Sequence, residues 1–217
     1  MIGNKKHFLV AGATGLVGST LVEMLLSNET VGKVTVLVRR ATSFESEKLE
    51  ERMIDFDSFT EREIAPSVDA IFCCLGTTMA QAGGKDAFRR VDYEYPVKLA
   101  VFAQRQNIQQ FHVISSSGAS PTSKIFYSKV KGRMELEIKK LDKIRSIYIY
   151  RPSMLLGDRT EFRFGESLGK FFMKALSFML PNSIKAVHAN EVSYTMVNNA
   201  LSPQKGVHVV SNSEILQ

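Results

Sequence analysis

The glycine-rich run Gly12-Ala13-Thr14-Gly15-Leu16-Val17-Gly18 constrains this chain more than any other feature. It follows a short apolar run, Phe8 to Ala11, and precedes Leu16 to Ser27, where Leu16, Leu21, Val22, Leu25 and Leu26 recur at helical spacing. That order predicts strand, tight turn, helix. Backbone N–H groups and the positive end of the helix would face a phosphate, and the missing side chains permit close approach, as in sites for a dinucleotide pyrophosphate. A P-loop is excluded because no Gly-Lys-Ser/Thr closes the run.

A second β-rich run, Val34 to Val38, completes a βαβ unit of roughly 30 residues. Further strands are expected at Met53-Ile54, Ala70 to Leu75, Phe111 to Ile114, Ile144 to Tyr150 and Val207 to Val210, with helices at Val91 to Gln106, Ser123 to Leu141 and Glu191 to Leu201. Strands that alternate with helices predict an α/β fold, a doubly wound parallel sheet covered on both faces. No repeat or low-complexity linker divides the 217 residues, so a single domain is expected over 1–217. After Arg151-Pro152 the alternation weakens, and residues about 152–205 are expected to form a small cap on the carboxyl edge of the sheet.

The second strand ends in Arg39-Arg40, where an NAD-selective site would place an acidic residue. Guanidinium groups there can clamp a 2′-phosphate, which points to NADP(H); the alternative is a solvated surface pair. Tyr127 and Lys131 are four residues apart, on one helix face, downstream of Ser115-Ser116-Ser117 at a strand end. A serine there would hold a carbonyl, Tyr127 would exchange its proton, and Lys131 would lower the phenol pKa and bond the nicotinamide ribose. The bland alternative is a serine-rich turn before an ordinary surface helix.

Composition narrows the remaining classes. Lys plus Arg number 28 and Asp plus Glu 22, a formal charge of +6, which suits anionic ligands. The basic pairs are scattered without interleaved aromatics, so nucleic acid is not an expected partner. Scattered histidines and the adjacent Cys73-Cys74 show no metal-ligand spacing, and the cysteines read as small core residues. Being adjacent, they cannot form a long-range bridge, so a reducing cytoplasm is the expected location. The glycines interrupt any secretory signal after Lys5-Lys6, and the best apolar stretch, Phe171 to Leu180, is short and holds Lys174, so no membrane span is expected. Phe171-Phe172-Met173 and Phe178-Met179-Leu180 read as core before partner surface.

Gly12-x-x-Gly15-x-x-Gly18, Cys73-Cys74-Leu75-Gly76-Thr77-Thr78, Arg90-Val91-Asp92, Ser115-Ser116, Tyr127-x-x-x-Lys131-Gly132 and Arg151-Pro152 together resemble the short-chain dehydrogenase/reductases of the atypical type. The resemblance spans essentially the whole chain. The Cys-Cys-Leu-Gly-Thr-Thr run and Leu155-Leu156 followed by Asp158-Arg159 look most like the Tat-interacting-protein oxidoreductase branch. The resemblance implies a Rossmann fold in which Thr14, Gly15, Leu16 and Val17 line the pyrophosphate, Arg39 and Arg40 meet the 2′-phosphate, and Leu75-Gly76 passes under the cofactor. It further implies an adenine-edge position at Asp55-Phe56, a nicotinamide-side role for Leu155 and a phosphate contact from Arg163. Tyr127 and Lys131 carry over as catalytic residues; the serine register stays open, with Ser116 favoured over Ser117.

Departures from the pattern matter. Asp92 stands where many of these enzymes carry an asparagine, which puts a standard proton relay in doubt, and the short substrate segment makes sugar-nucleotide epimerisation less expected. The expected activity is hydride transfer between NADP(H) and a small carbonyl or alcohol. Its rivals are an NADPH-sensing module that reports to a protein partner and, more weakly, an NAD(P)-dependent epimerase or isomerase.

Overall fold

A computed structural model describes residues 5–59, 64, 67–156, 181–182 and 185–217. Its centre is a parallel sheet of β1 (Lys6–Ala11), β2 (Val31–Val38), β3 (Leu49–Met53), β4 (Ala70–Cys73), β5 (Gln110–Ile114), β6 (Ser146–Arg151) and β9 (Gly206–Ser211). The spatial order is β3-β2-β1-β4-β5-β6-β9, and every neighbouring pair is parallel. This is the doubly wound Rossmann order, with its topological switch between β1 and β4. Two further short strands, β7 (Leu155–Leu156) and β8 (Val187–His188), pair with each other in a separate ladder.

Strands buried on both faces need apolar residues at successive positions, and β4 and β5 are buried throughout. Phe8, Val10, Val36, Phe72 and Tyr150 turn to one face, beneath α1 (Leu16–Ser27) and α6 (Ala189–Leu201). Leu9, Ala11, Ile71, Phe111 and Val113 turn to the other, where Leu99 and Ala103 of α4 (Tyr95–Arg105) and Met134 and Ile138 of α5 (Phe126–Ile138) cover them. Before α4 lie the short helices α2 (Met79–Ala82) and α3 (Lys85–Arg89); a last short helix, α7 (Asn212–Ile215), follows β9.

Parts of the sequence reading need correction. Helix α6, within the stretch expected to cap the sheet, instead lies on the sheet face beside α1, with Ser193 Oγ donating to Val17 O at 3.1 Å. Its apolar positions Val192, Met196 and Ala200 are buried in the core. Residues 157–180 of the expected cap, with both Phe/Met runs, lie outside the described residues. The third strand is Leu49–Met53 rather than Met53-Ile54; as an edge strand carrying Glu50, Glu51 and Arg52 it lacks the apolar signature of its neighbours. The expected helix over Val91 to Gln106 is interrupted by a π-helical turn, Arg90–Glu94, before α4. Pro96 has no N–H to donate to the carbonyl of Asp92, four residues back, and the hydrogen-bond ladder widens there.

A buried polar chain ties α6 to the sheet. Asn199 Nδ2 donates to Tyr150 Oη at 3.1 Å, and Tyr150 lies 3.0 Å from His112 Nδ1. His112 Nε2 lies 3.3 Å from Gln110 Oε1, while Gln110 Nε2 donates to Ala200 O at 3.3 Å. Gln110 Oε1 must therefore accept, which assigns the His112 proton to Nε2 and leaves Nδ1 to accept from Tyr150. Burial pulls the His112 pKa down to about 3, so the ring is neutral.

Candidate cofactor and active site

The glycine run leaves β1 at the switch point, beside the carboxyl end of β4. Gly12 has φ +85°, and a Cβ there would lie 2.7 Å from the Cys74 carbonyl carbon. A Cβ on Gly18 would lie 2.0 Å from Gly12 O, inside any real contact distance, whereas one on Gly15 would meet Gly12 O at 3.2 Å. Gly12 and Gly18 are thus required by the turn and by helix–strand approach, whereas a side chain at Gly15 would demand a shift of only a few tenths of an ångström. Gly15 caps that helix without a side chain, and no acidic residue occupies its first turn. A positive helix end without a side-chain cap or a first-turn carboxylate suits a phosphate.

Thr14 is exposed and Gly15 and Leu16 are half-buried at this open end, whereas the Val17 side chain belongs to the core and only its main chain can face a ligand. Beside them an open groove of roughly 530 Å³ is lined by Thr14, Ser19, Glu23, Thr42 and Phe44, among others. Arg39 and Arg40 extend from the end of β2 just before this lining, and both are exposed. Asp55 is exposed but turned to its own loop: it accepts from Asp57 N at 3.0 Å and Ser58 Oγ at 2.8 Å, which lower its pKa. The Phe56 ring is buried against Phe59 and Tyr95, so at this position only its main chain is available to a ligand.

At the carboxyl ends of β4 and β5, Lys131 and Asp92 meet. Lys131, on α5, is 3% exposed; its Nζ lies 2.8 Å from Asp92 Oδ1 and donates to Ile114 O at 3.2 Å. Asp92 Oδ2 accepts the Thr77 N–H at 2.8 Å. Gly76 lies alongside: a Cβ there would be 3.4 Å from Asp92 Oδ1 and 4.0 Å from Lys131 Nζ. Burial pulls the Lys131 pKa down, but the Asp92 carboxylate outweighs it and the net shift is upward. Tyr127, one turn before Lys131, is half-buried with its ring 5.6 Å from that of Phe88.

The serine register resolves in part. Ser115 is buried and donates to Glu135 Oε1 at 2.5 Å, and Glu135 in turn holds Arg151 through bonds of 2.9 and 2.6 Å. Ser115 is therefore part of the joint between β5, α5 and β6. Ser117 is exposed, and its N–H donates to Pro152 O. Ser116 is half-buried, and its Oγ accepts a long 3.4 Å bond from Gly118 N–H. The loop from Ser116 is pressed onto α5 at Gly132, where a Cβ would lie 2.1 Å from the Ser120 carbonyl carbon. Leu155 is half-buried in β7, packed on the core, whereas Arg163 lies outside the described residues. Cys73 and Cys74 are buried and unpaired, and burial pushes the Cys73 thiol up to about 12.

This geometry fits a nicotinamide dinucleotide: a bare helix end, a cradle that side chains would fill, and a buried cation beside a glycine floor. Residues 8–201 match the NAD dependent epimerase/dehydratase family. The chain belongs to that family. Within it, the chain is of the short-chain dehydrogenase/reductase type and is similar to Protein HTATIP2 of Rattus norvegicus, 36% identical over 98% of this chain and 88% of that protein. It is also similar to Protein FMP52, mitochondrial, of Eremothecium gossypii, 31% identical over 96% of this chain and 95% of that one. A UDP-N-acetylglucosamine 4-epimerase from Methanobrevibacter ruminantium shares the fold with a TM-score of 0.73 at 18% identity, covering 96% of this chain and 77% of that one.

The family assignment corrects the expected location. Several relatives are named as mitochondrial proteins, which overturns the cytoplasmic expectation. Unpaired thiols indicate only a reducing environment, which the cytoplasm does not monopolise. Among the described residues no helix is long and apolar enough to cross a membrane.

Residues outside the expected site also shape it. Asp92 stood out in the sequence only as a departure from the usual asparagine, and Glu135 was not singled out. Glu135 sits four residues after Lys131 on α5, so helical spacing alone would have placed it near the same strand ends.

Proposed function

We propose that this family member is an NADP(H)-dependent oxidoreductase acting on a small carbonyl or alcohol. The observation that supports the reading is the buried Lys131 ammonium, held at the Gly76 floor and one helical turn from the Tyr127 phenol that it faces. Thr14, Gly15, Leu16 and the Val17 main chain would hold the pyrophosphate, and Arg39 and Arg40 the 2′-phosphate. When bound, the nicotinamide supplies or accepts the hydride.

The chain's own residues handle the oxygen and its proton. Ser116 Oγ donates a hydrogen bond to the carbonyl oxygen and orients it. Tyr127 gives its phenolic proton to that oxygen in reduction and takes it back in oxidation. The Lys131 ammonium stabilises the phenolate left behind and offers a further N–H to a ribose hydroxyl. Ser115 is spared for structure because Glu135 occupies its hydroxyl.

The test is Tyr127→Phe, which removes the proton and keeps the ring that packs on Phe88. NADPH should bind with parental affinity, while turnover across a panel of small aldehydes, ketones and alcohols should fall about 10²-fold or more. Unchanged turnover in the variant would remove Tyr127 from the mechanism.

A further inference from the structure

A carboxylate and an ammonium buried together at 1% and 3% exposure are costly to desolvate, so such a pair survives only when its geometry satisfies both partners. Here it does. Asp92 spends one oxygen on Lys131 Nζ at 2.8 Å and the other on the Thr77 N–H at 2.8 Å. Lys131 has three N–H donors and commits two, to Asp92 and to Ile114 O. The remaining donor belongs to an ammonium beside Gly76, whose missing side chain leaves the pair approachable. The π-helical turn makes this possible, because the ladder that widens ahead of Pro96 carries Asp92 into the interior. The Asp92 half of the arrangement has no part in the proton transfer proposed for Tyr127, Ser116 and Lys131.

We propose that Asp92 is a positioning residue, which holds Lys131 as an oriented ammonium and ties it to the Leu75–Thr77 segment, so that the cofactor floor and the proton-handling helix move as one unit. The proposal builds on the proposed function only in taking Lys131 as the cation of the site. Among the described residues, the titratable groups facing Lys131 are Asp92 from the π-helical turn, Tyr127 from its own helix and Cys73 from β4. Burial keeps the Cys73 thiol neutral, so Asp92 is the charge that opposes desolvation of the amine. Without it, burial should draw the amine below its ordinary value.

Asp92→Asn keeps the shape and an acceptor for the Thr77 N–H while removing the charge. In full-length protein labelled with [ε-¹³C]lysine, with Lys131→Met to assign the signal, Lys131 should titrate above the ordinary lysine range in the parent. In Asp92→Asn its midpoint should fall by about one unit or more. The turnover profile of the variant should gain an alkaline limb at that midpoint, and Asp92→Asn/Lys131→Met should be no slower than Lys131→Met alone. An unchanged Lys131 midpoint would overturn the proposal. So would a double variant slower than Lys131→Met by the full factor seen in Asp92→Asn. If Asp92→Asn does not fold, the double variant, which removes both charges, should fold; its failure alongside a folded Lys131→Met would equally overturn the pair. A parent protein without turnover would sink the proposed oxidoreductase reading, yet the titration would still decide this one.

Discussion

Alanine at Gly18 and at Gly15 should separate the fold from the ligand site. At Gly18 the new Cβ would sit 2.0 Å from Gly12 O, where real contacts stop near 3.0 Å, so the turn must retreat by roughly an ångström of backbone. Overpacking of that kind costs about 3 kcal/mol, and the better helix propensity of alanine returns about 1, leaving a net loss of about 2 kcal/mol. At Gly15 the new Cβ meets Gly12 O at 3.2 Å, a matter of a few tenths of an ångström, and the φ of −76° suits alanine. Losing a glycine N-cap there costs about 1 kcal/mol or less. The same methyl group would nevertheless stand where a pyrophosphate must approach the helix end, and affinity should fall at least about tenfold, or ~1.4 kcal/mol. Urea unfolding and a fluorescence titration with NADPH read the two quantities independently. Parental stability in Gly18→Ala would refute the packing argument, and parental NADPH affinity in Gly15→Ala would refute the placement of the phosphate.

Replacing both Arg39 and Arg40 by alanine should reduce the preference for NADPH over NADH by about tenfold or more, and the parental preference should shrink with added salt because both side chains are exposed. Titration of both cofactors at low and high ionic strength checks this, and an unaltered ratio in the variant counts against the 2′-phosphate clamp. His112 predicts a pH dependence of stability. Its folded pKa of about 3 lies below the unfolded value near 6.5, so the unfolded chain binds the extra proton between them; stability is full above pH 6.5 and declines as pH falls towards 3. By pH 5 the loss from this group is about 2 kcal/mol, and His112→Asn should flatten that slope in urea titrations at successive pH values.

The amino-terminal half of the fold was legible in the sequence because its signals are local. Helix α1 begins and ends at Leu16 and Ser27, as its spacing predicts, and the central strands announce themselves as apolar runs because both faces of a parallel sheet are covered. Gly12 and Gly18 could be read for the same reason: a tight turn between strand and helix leaves few residue types able to occupy it. Tertiary structure decided what depends on residues distant in the chain. Helix α6 has an ordinary amphipathic pattern, compatible with a cap or a sheet face, and its position beside α1 follows from packing and from the chain linking Asn199 to His112. Ser115 and Ser116 look alike in sequence, and only the arrival of Glu135 commits one hydroxyl and leaves the other. Lys131 stood out in the sequence by its spacing from Tyr127 and Asp92 only as a departure from an asparagine; folding buries both and pairs them, and at that depth neither charge is stable without the other.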